Sequence, residues 1–271
     1  MLGKLIKHEF SATGKTYGIL CLICVAFTAF ACLTTLLVGA IADSNPVLAM
    51  LATLPSTLLG SLVISVMSAF PIYHAAWRFY KNLASDEGYL MHMLPVPTWS
   101  LVLSKSIVAV IWTFISTALG IVAYIASQMA YSFVMFSEIE EVDLNEVLTA
   151  FKELLGMTLD FDVSIAYILI TVAIIAILSL IFSVLSLYLC IAIGQLWTAH
   201  RILGSIIAYI LLSLILNIIV SVAMIVLILI GITSLVAFNI VLAGCALVMA
   251  GAVVGCYLAT VNIFKKKLNL Q

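Results

Sequence analysis

Residues 163–230 read VSIAYILITVAIIAILSLIFSVLSLYLCIAIGQLWTAHRILGSIIAYILLSLILNIIVSVAMIVLILI, two apolar runs separated by the polar link Gln195 to Arg201. Each run exceeds the roughly 20 residues that cross a bilayer, and exceeds the about 14 typical of a buried helix in a water-soluble core. Read as one helix, the stretch would place Gln195, His200 and Arg201 in hydrocarbon. A charge such as Arg201 costs at least about 2.5 kcal/mol at that depth. Two separate spans, about 163–194 and about 202–230, avoid the cost.

The same reading extends outward in both directions. Of 271 residues, 65% are hydrophobic and 8% are charged, and no charge falls between Lys105 and Glu138 or between Arg201 and Lys265. Water-soluble domains carry about 25% charged residues, so a soluble surface cannot be built from this chain. Further spans are expected at about 17–41, 54–76, 102–130 and 236–261, giving six. Before them, Leu2, Leu5 or Ile6, and Phe10 recur at helical spacing among Lys4, Lys7 and Lys15, which predicts an amphipathic interfacial helix over 1–15. MLGKLIKHEF lacks the parts of a signal peptide, so the first apolar run is read as a retained span. Asp43-Ser44-Asn45-Pro46 reads as a turn between the first two spans, Pro55 as a first-turn proline of span 2, and Pro71 as a kink near its end. The expected fold is all-α, a single transmembrane domain over 1–271.

Charge sets the direction. Ten of the eleven basic residues fall on the side that holds the N-terminus, and only Lys152 falls on the other. The positive-inside rule makes the basic side the cytoplasm, with both termini there and an even number of spans. Nine of the twelve acidic residues fall opposite, eight of them in the loop 132–162. Within that loop Leu144, Val147, Leu148, Phe151, Leu154 and Leu155 repeat at helical spacing, predicting a short amphipathic helix closed by Gly156.

Little reactive chemistry is visible. Gly14-Lys15-Thr16 imitates a phosphate-binding loop, but the glycine required five residues earlier is Glu9. The six cysteines lie in apolar segments and read as small apolar side chains, Cys21 and Cys24 included. The four histidines fall near interfaces and form no ligand set. No span carries a central acidic residue, so neither an ion-coupled carrier nor an intramembrane hydrolase is favoured. The chain is expected not to be an enzyme, with no metal and no cofactor of its own.

The polar residues within spans are mild. Ser61, Ser65 and Ser68, then Thr113, Ser116 and Thr117, then Ser179, Ser183 and Ser186, then Ser213, Asn217 and Ser221 each form one face of a helix. Helix packing with hydroxyls bonded to their own backbone is the simpler reading. A weakly polar pathway involving Ser65, Ser116, Ser183, Asn217 and Ser221 is the alternative. Asn217 is the costliest to bury alone, so a partner across a helix interface is expected for it. Gly251 and Gly255 form a G-x-x-x-G face in span 6, suited to close contact within the chain or with a second copy.

Residues 78–100, RFYKNLASDEGYLMHMLPVPTWS, differ in kind. Ser85, Asp86 and Glu87 suit a helix N-terminus, where exposed N–H groups favour oxygen acceptors and negative charge. Tyr89, Leu90, Met91, Met93 and Leu94 follow, before Pro95 and Pro97 end the helix. A short apolar helix on the aqueous side either presses on the membrane or docks in a groove of a partner.

Residues 79–112, FYKNLASDEGYLMHMLPVPTWSLVLSKSIVAVIW, resemble the signature region of bacterial ABC-2-type transporter permeases, a family common in Firmicutes. MLGKLIKHEF and IAIGQLWTAHRILGS (191–205) resemble its corresponding parts, and the likeness runs through the whole chain in order and spacing. It implies an ABC-2-type permease fold of six spans with an N-terminal interfacial helix, in a bacterial plasma membrane. It implies a coupling loop at 78–100 that docks a separate ATP-binding cassette subunit, which binds ATP and Mg, and pairing with a second permease chain, identical or homologous. By that match Asp86, Glu87, Gly88, Tyr89 and Leu90 belong to the coupling element, Leu94, Pro95 and Val96 shape its return, and Gln195 and Arg201 fall in the second cytoplasmic link. Met91-His92-Met93 and Pro97-Thr98-Trp99 are bulkier than the family's usual residues. The implied function is the permease subunit of an ATP-driven exporter of a peptide, lipid or hydrophobic compound. The alternatives are a non-transporting membrane sensor or immunity protein that binds antimicrobial peptides through the acidic loop, an intramembrane enzyme, and a structural subunit.

Overall fold

A computed structural model describes residues 2–41, 46–84, 96–137, 163–197, 200–230 and 235–266. Among them every regular element is helical: α1 (Leu2–Ile41), α2 (Pro46–Phe79) ending in a π-helical turn (Tyr80–Ala84), α3 (Thr98–Ser137), α4 (Val163–Gly194), α5 (Arg201–Ile230) and α6 (Leu235–Lys266). Each of the six contains a stretch long and apolar enough to cross a membrane. The chain is an all-α, multi-pass membrane protein. Helices are the form this composition demands, because each backbone N–H and C=O in hydrocarbon must bond within its own segment. Hydroxyls follow the same rule: Thr28 donates to Cys24 O at 2.8 Å, Thr35 to Ala31 O at 2.8 Å, Thr171 to Tyr167 O at 2.7 Å and Thr260 to Cys256 O at 2.8 Å.

Several helices outrun their hydropathy. The expected interfacial helix and first span form one unbroken 40-residue helix, α1. α2 starts at Pro46 instead of about 54, so Pro55 lies in its interior and not in a first turn. The helix also continues through Pro71, whose carbonyl accepts a hydrogen bond from Tyr17 Oη at 3.3 Å. α3 runs to Ser137, seven residues past the expected end at 130. At about 1.5 Å per residue, 40 residues of helix reach about 60 Å, twice the roughly 30 Å of hydrocarbon. The expected amphipathic helix over 144–155 and the turn near 231–234 lie outside the described residues.

The chain divides into two compact units. One draws on α1 up to Glu9, α2 from Ile72, α3 up to Val110, and all of α4, α5 and α6. In it α4 packs along both α5 and α6, and also meets the π-turn. Its core gathers Phe79, Leu83, Leu101, Val102, Val184, Tyr188, Ala192 and Phe264.

The other unit draws on α1 from Phe10, α2 up to Pro71 and α3 from Ile111. There the Trp112 ring is stacked between Phe10, at a centroid distance of 4.8 Å, and Tyr17, at 4.6 Å. Its Nε1–H donates to Thr13 Oγ1 at 3.0 Å, which satisfies the one polar atom of the indole. Further along, Gly120 lets α3 close on α2: an added Cβ would stand 2.9 Å from Met67 Cβ and 3.4 Å from Ile64 Cα. Small residues at such crossings give the dispersion contact that holds helices together where lipid removes the hydrophobic drive.

Candidate functional site at the stems of residues 85–95

The segment expected to couple to a partner, with Asp86, Glu87, Gly88, Tyr89, Leu90, Leu94 and Pro95, lies outside the described residues. Its two stems are described. The outgoing stem is the end of α2 and the π-turn, where Phe79 and Leu83 are fully buried. The returning stem begins at Val96, which packs on the same core, and enters α3 at Thr98. Pro97 O accepts bonds from Ser100 N at 2.9 Å and Ser100 Oγ at 2.8 Å, so the first turn of α3 is closed around it. Leu101 and Val102 then insert into the core, and Tyr257 Oη of α6 donates to Trp99 O at 3.0 Å.

Aromatic rings fix the outgoing stem. Phe79 stacks on Tyr188 of α4 at 3.9 Å, and Phe264 of α6 meets Phe79 edge-on at 5.5 Å. Trp77 is 64% exposed and Trp99 is 50% exposed on the outer side of the stems. Exposed indoles at helix ends suit the membrane–water boundary.

A cluster of charges joins the stems to the first turns of α1. Arg78 Nη2 donates to Glu9 Oε2 at 3.1 Å, and Lys105 Nζ donates to Glu9 Oε1. Glu9 is 8% exposed and Lys105 6%. In the sequence Glu9 stands where a phosphate-binding loop requires glycine, and Arg78 and Lys105 belong to the basic side. A usable signal was present: Lys105 falls within the expected span 102–130, and an ionised side chain there requires a partner. Glu9 is the one acidic residue of the basic N-terminal segment. Gly14-Lys15-Thr16 lie inside continuous α1, so no loop forms there to cradle a phosphate.

Gln195 and Arg201 bracket the link between α4 and α5. The turn is held by Gln195 N to Ile191 O at 3.2 Å, Leu196 N to Ile193 O at 3.0 Å and Trp197 N to Gly194 O at 3.1 Å. Gly194 faces α5 directly: a Cβ there would fall on Ser205 Oγ and stand 2.6 Å from Ser205 N and 2.8 Å from Arg201 O. Gln195 Nε2 is buried without a hydrogen-bond partner among the described residues.

Three of the hydroxyls expected to line a pathway bond to their own helices. Ser65 donates to Ser61 O at 2.6 Å, Ser183 to Leu180 O at 2.8 Å and Ser221 to Ile218 O at 2.9 Å, each within its own helix. Ser116 is fully buried, and its Oγ has no hydrogen-bond partner among the described residues. Among the described residues Asn217 makes no bond across a helix interface of the kind expected: it is exposed, and its Nδ2 donates to Ser213 O at 2.8 Å one turn earlier. A Cβ added at Gly251 or Gly255 would meet nothing within 4 Å among the described residues. Among the described residues no group of histidine, cysteine, aspartate and glutamate has metal-site geometry.

No family model, no curated protein and no solved structure matches this chain. What the fold establishes is a multi-pass membrane protein with six long apolar helices among the described residues and a pair of stems packed on one core.

Proposed function

We propose that this chain is the membrane subunit of an ATP-driven ABC-2-type exporter. The supporting observation is the pair of stems around residues 85–95, each tied into one buried core and leading into a long apolar helix. A displacement delivered to the segment between such stems passes into α2 and α3 as movement of whole helices. The resemblance of residues 79–112 to the permease signature supports the same reading. So does the lack of a central acidic residue in any span, which leaves an external energy source as the simplest supply.

On this reading the basic side is cytoplasmic, in a bacterial plasma membrane. A separate ATP-binding cassette subunit docks on residues 78–100 and hydrolyses ATP with Mg. A second permease chain, identical or homologous, completes the pathway, and this chain itself performs no catalysis. ATP binding closes the partner subunits, the 85–95 segment moves, and the spans repack between two global states. The test is purification of the native complex from its own membrane. A stoichiometric ATP-binding subunit whose hydrolysis is stimulated by this chain supports the assignment, and a native complex without one overturns it.

The acidic segment 138–162 favours one second reading, a sensor or immunity protein for cationic antimicrobial peptides. Eight carboxylates against Lys152 attract cations at long range. Replacing those carboxylates with amides lowers peptide resistance if peptides are the ligand, and leaves resistance unchanged for an exporter of lipid or another uncharged compound.

A further inference from the structure

We infer that Glu9 is a positioning residue, a latch on the N-terminal helix that holds the two stems of residues 85–95 together and releases them asymmetrically. Its two carboxylate oxygens are divided between the stems. Oε2 takes Arg78 of the outgoing stem at 3.1 Å, and Oε1 takes Lys105 of the returning stem. The partners are 69 and 96 residues away in sequence, so the contacts join three separate chain segments. Arg78 and Lys105 repel each other, and the carboxylate between them turns that repulsion into attraction toward a common point.

The two halves of the latch differ in their access to water. The Lys105 side chain is 6% exposed and that of Glu9 is 11%, while that of Arg78 is 28%. Buried charges separate only at high cost, because each loses its partner without gaining solvent. Arg78 can exchange the carboxylate for water. The Glu9–Lys105 contact is therefore the permanent half, pinning the start of α3 to α1. The Glu9–Arg78 contact is the releasable half: its opening unties Arg78 from α1 while Phe79 and Leu83 stay seated in the core, so the outgoing stem loosens about that anchor.

The coupling role of the latch rests on the exporter reading, but its geometry does not, and the experiment separates them. Spin labels at the exposed positions 77 and 99, in a full-length chain whose six cysteines are replaced by alanine, report the separation of the stems in lipid nanodiscs. The unsubstituted latch gives one narrow distance distribution. Arg78→Gln shifts it to longer distances and broadens it, and Glu9→Asp keeps it narrow. Glu9→Gln leaves the buried Lys105 cation without its carboxylate and can unfold the chain. The double variant Glu9→Gln with Lys105→Met removes one charge of each sign and also broadens the distribution. Folded variants with an unchanged narrow distribution overturn the latch, whatever the partner proves to be. In the complex with an ATP-binding subunit, Arg78→Gln lowers stimulated ATPase activity about tenfold or more, as the loss of a charge-assisted bond implies. Stem distances that change while stimulated activity does not overturn the coupling role alone. A native complex with no ATPase overturns the exporter reading and leaves the distance result standing.

Discussion

The Phe79 ring lies 3.9 Å from the Tyr188 ring, centroid to centroid, with 13° between their planes, and both side chains are fully buried. Phe79 ends α2 and Tyr188 lies in α4, so one stacked pair ties the outgoing stem to the helix that packs on α5 and α6. Phe79→Ala is expected to destabilise the fold by about 3–5 kcal/mol through the cavity it leaves. Phe79→Leu should cost less, since it keeps most of the volume and loses the ring geometry worth about 0.5–1.5 kcal/mol. Thermal unfolding of the detergent-solubilised chain, followed by size-exclusion chromatography, ranks the two variants. A Phe79→Leu midpoint equal to that of the unsubstituted chain would show that the stack contributes nothing beyond filling space.

Gly194 and Gly255 make a matched pair of controls. Gly194→Ala sets a methyl group against the backbone of Arg201 and Ser205, so trimming Ser205 to alanine should restore little of the lost stability. Overpacking of this kind costs about 1–3 kcal/mol. Gly255→Ala meets nothing within 4 Å among the described residues and should leave the isolated chain unchanged. If Gly255→Ala nonetheless shifts the molecular mass of the solubilised protein, its face is covered by another chain.

Trp112→Phe should keep the stack between Phe10 and Tyr17 while losing the bond to Thr13 Oγ1. The expected cost is about 1 kcal/mol plus the volume of the smaller ring. Thr13→Val should cost less in the Trp112→Phe background than in the parent chain, because the bond from the indole is already gone while the hydroxyl's own bond to Phe10 O is lost in both. A double-mutant cycle on thermal midpoints measures the coupling directly, and zero coupling would contradict the geometry.

Ser116 separates packing from pathway. Its hydroxyl is buried without a partner among the described residues, so Ser116→Ala should be neutral or stabilising by up to about 1–3 kcal/mol, the desolvation cost it removes. A variant of equal or higher stability with unchanged resistance or export assigns Ser116 to packing. A loss of export at full stability assigns it to the route.

Much of the architecture was legible because hydrocarbon is an exacting solvent. Gln195, His200 and Arg201 had to interrupt the long run, and α4 does end at Gly194 with α5 starting at Arg201. Helix length was less legible. Hydropathy reports the thickness of the bilayer, whereas Pro46 and Ser137 are set by backbone that stays helical beyond it. The Glu9 cluster was hidden for another reason. Periodicity sees neighbours within a few turns, and Glu9 meets Lys105 across 96 residues. Asn217 went the other way: a partner across a helix was inferred from cost, and the amide met the cost by turning to its own helix.

The π-helical turn Tyr80–Ala84 has one further consequence. Such a turn bonds five residues ahead instead of four, so it holds one residue more than the α-helix around it. Each residue of helix advances the chain by about 100° around its axis. Deleting one residue between Tyr80 and Ala84 would let the turn close to ordinary helix, so the wide turn absorbs the change of length. The same deletion earlier in α2 would swing every later side chain of that helix, Phe79 included, by about 100°. The π-turn is therefore where this stem tolerates a lost residue while Phe79 keeps its place on Tyr188.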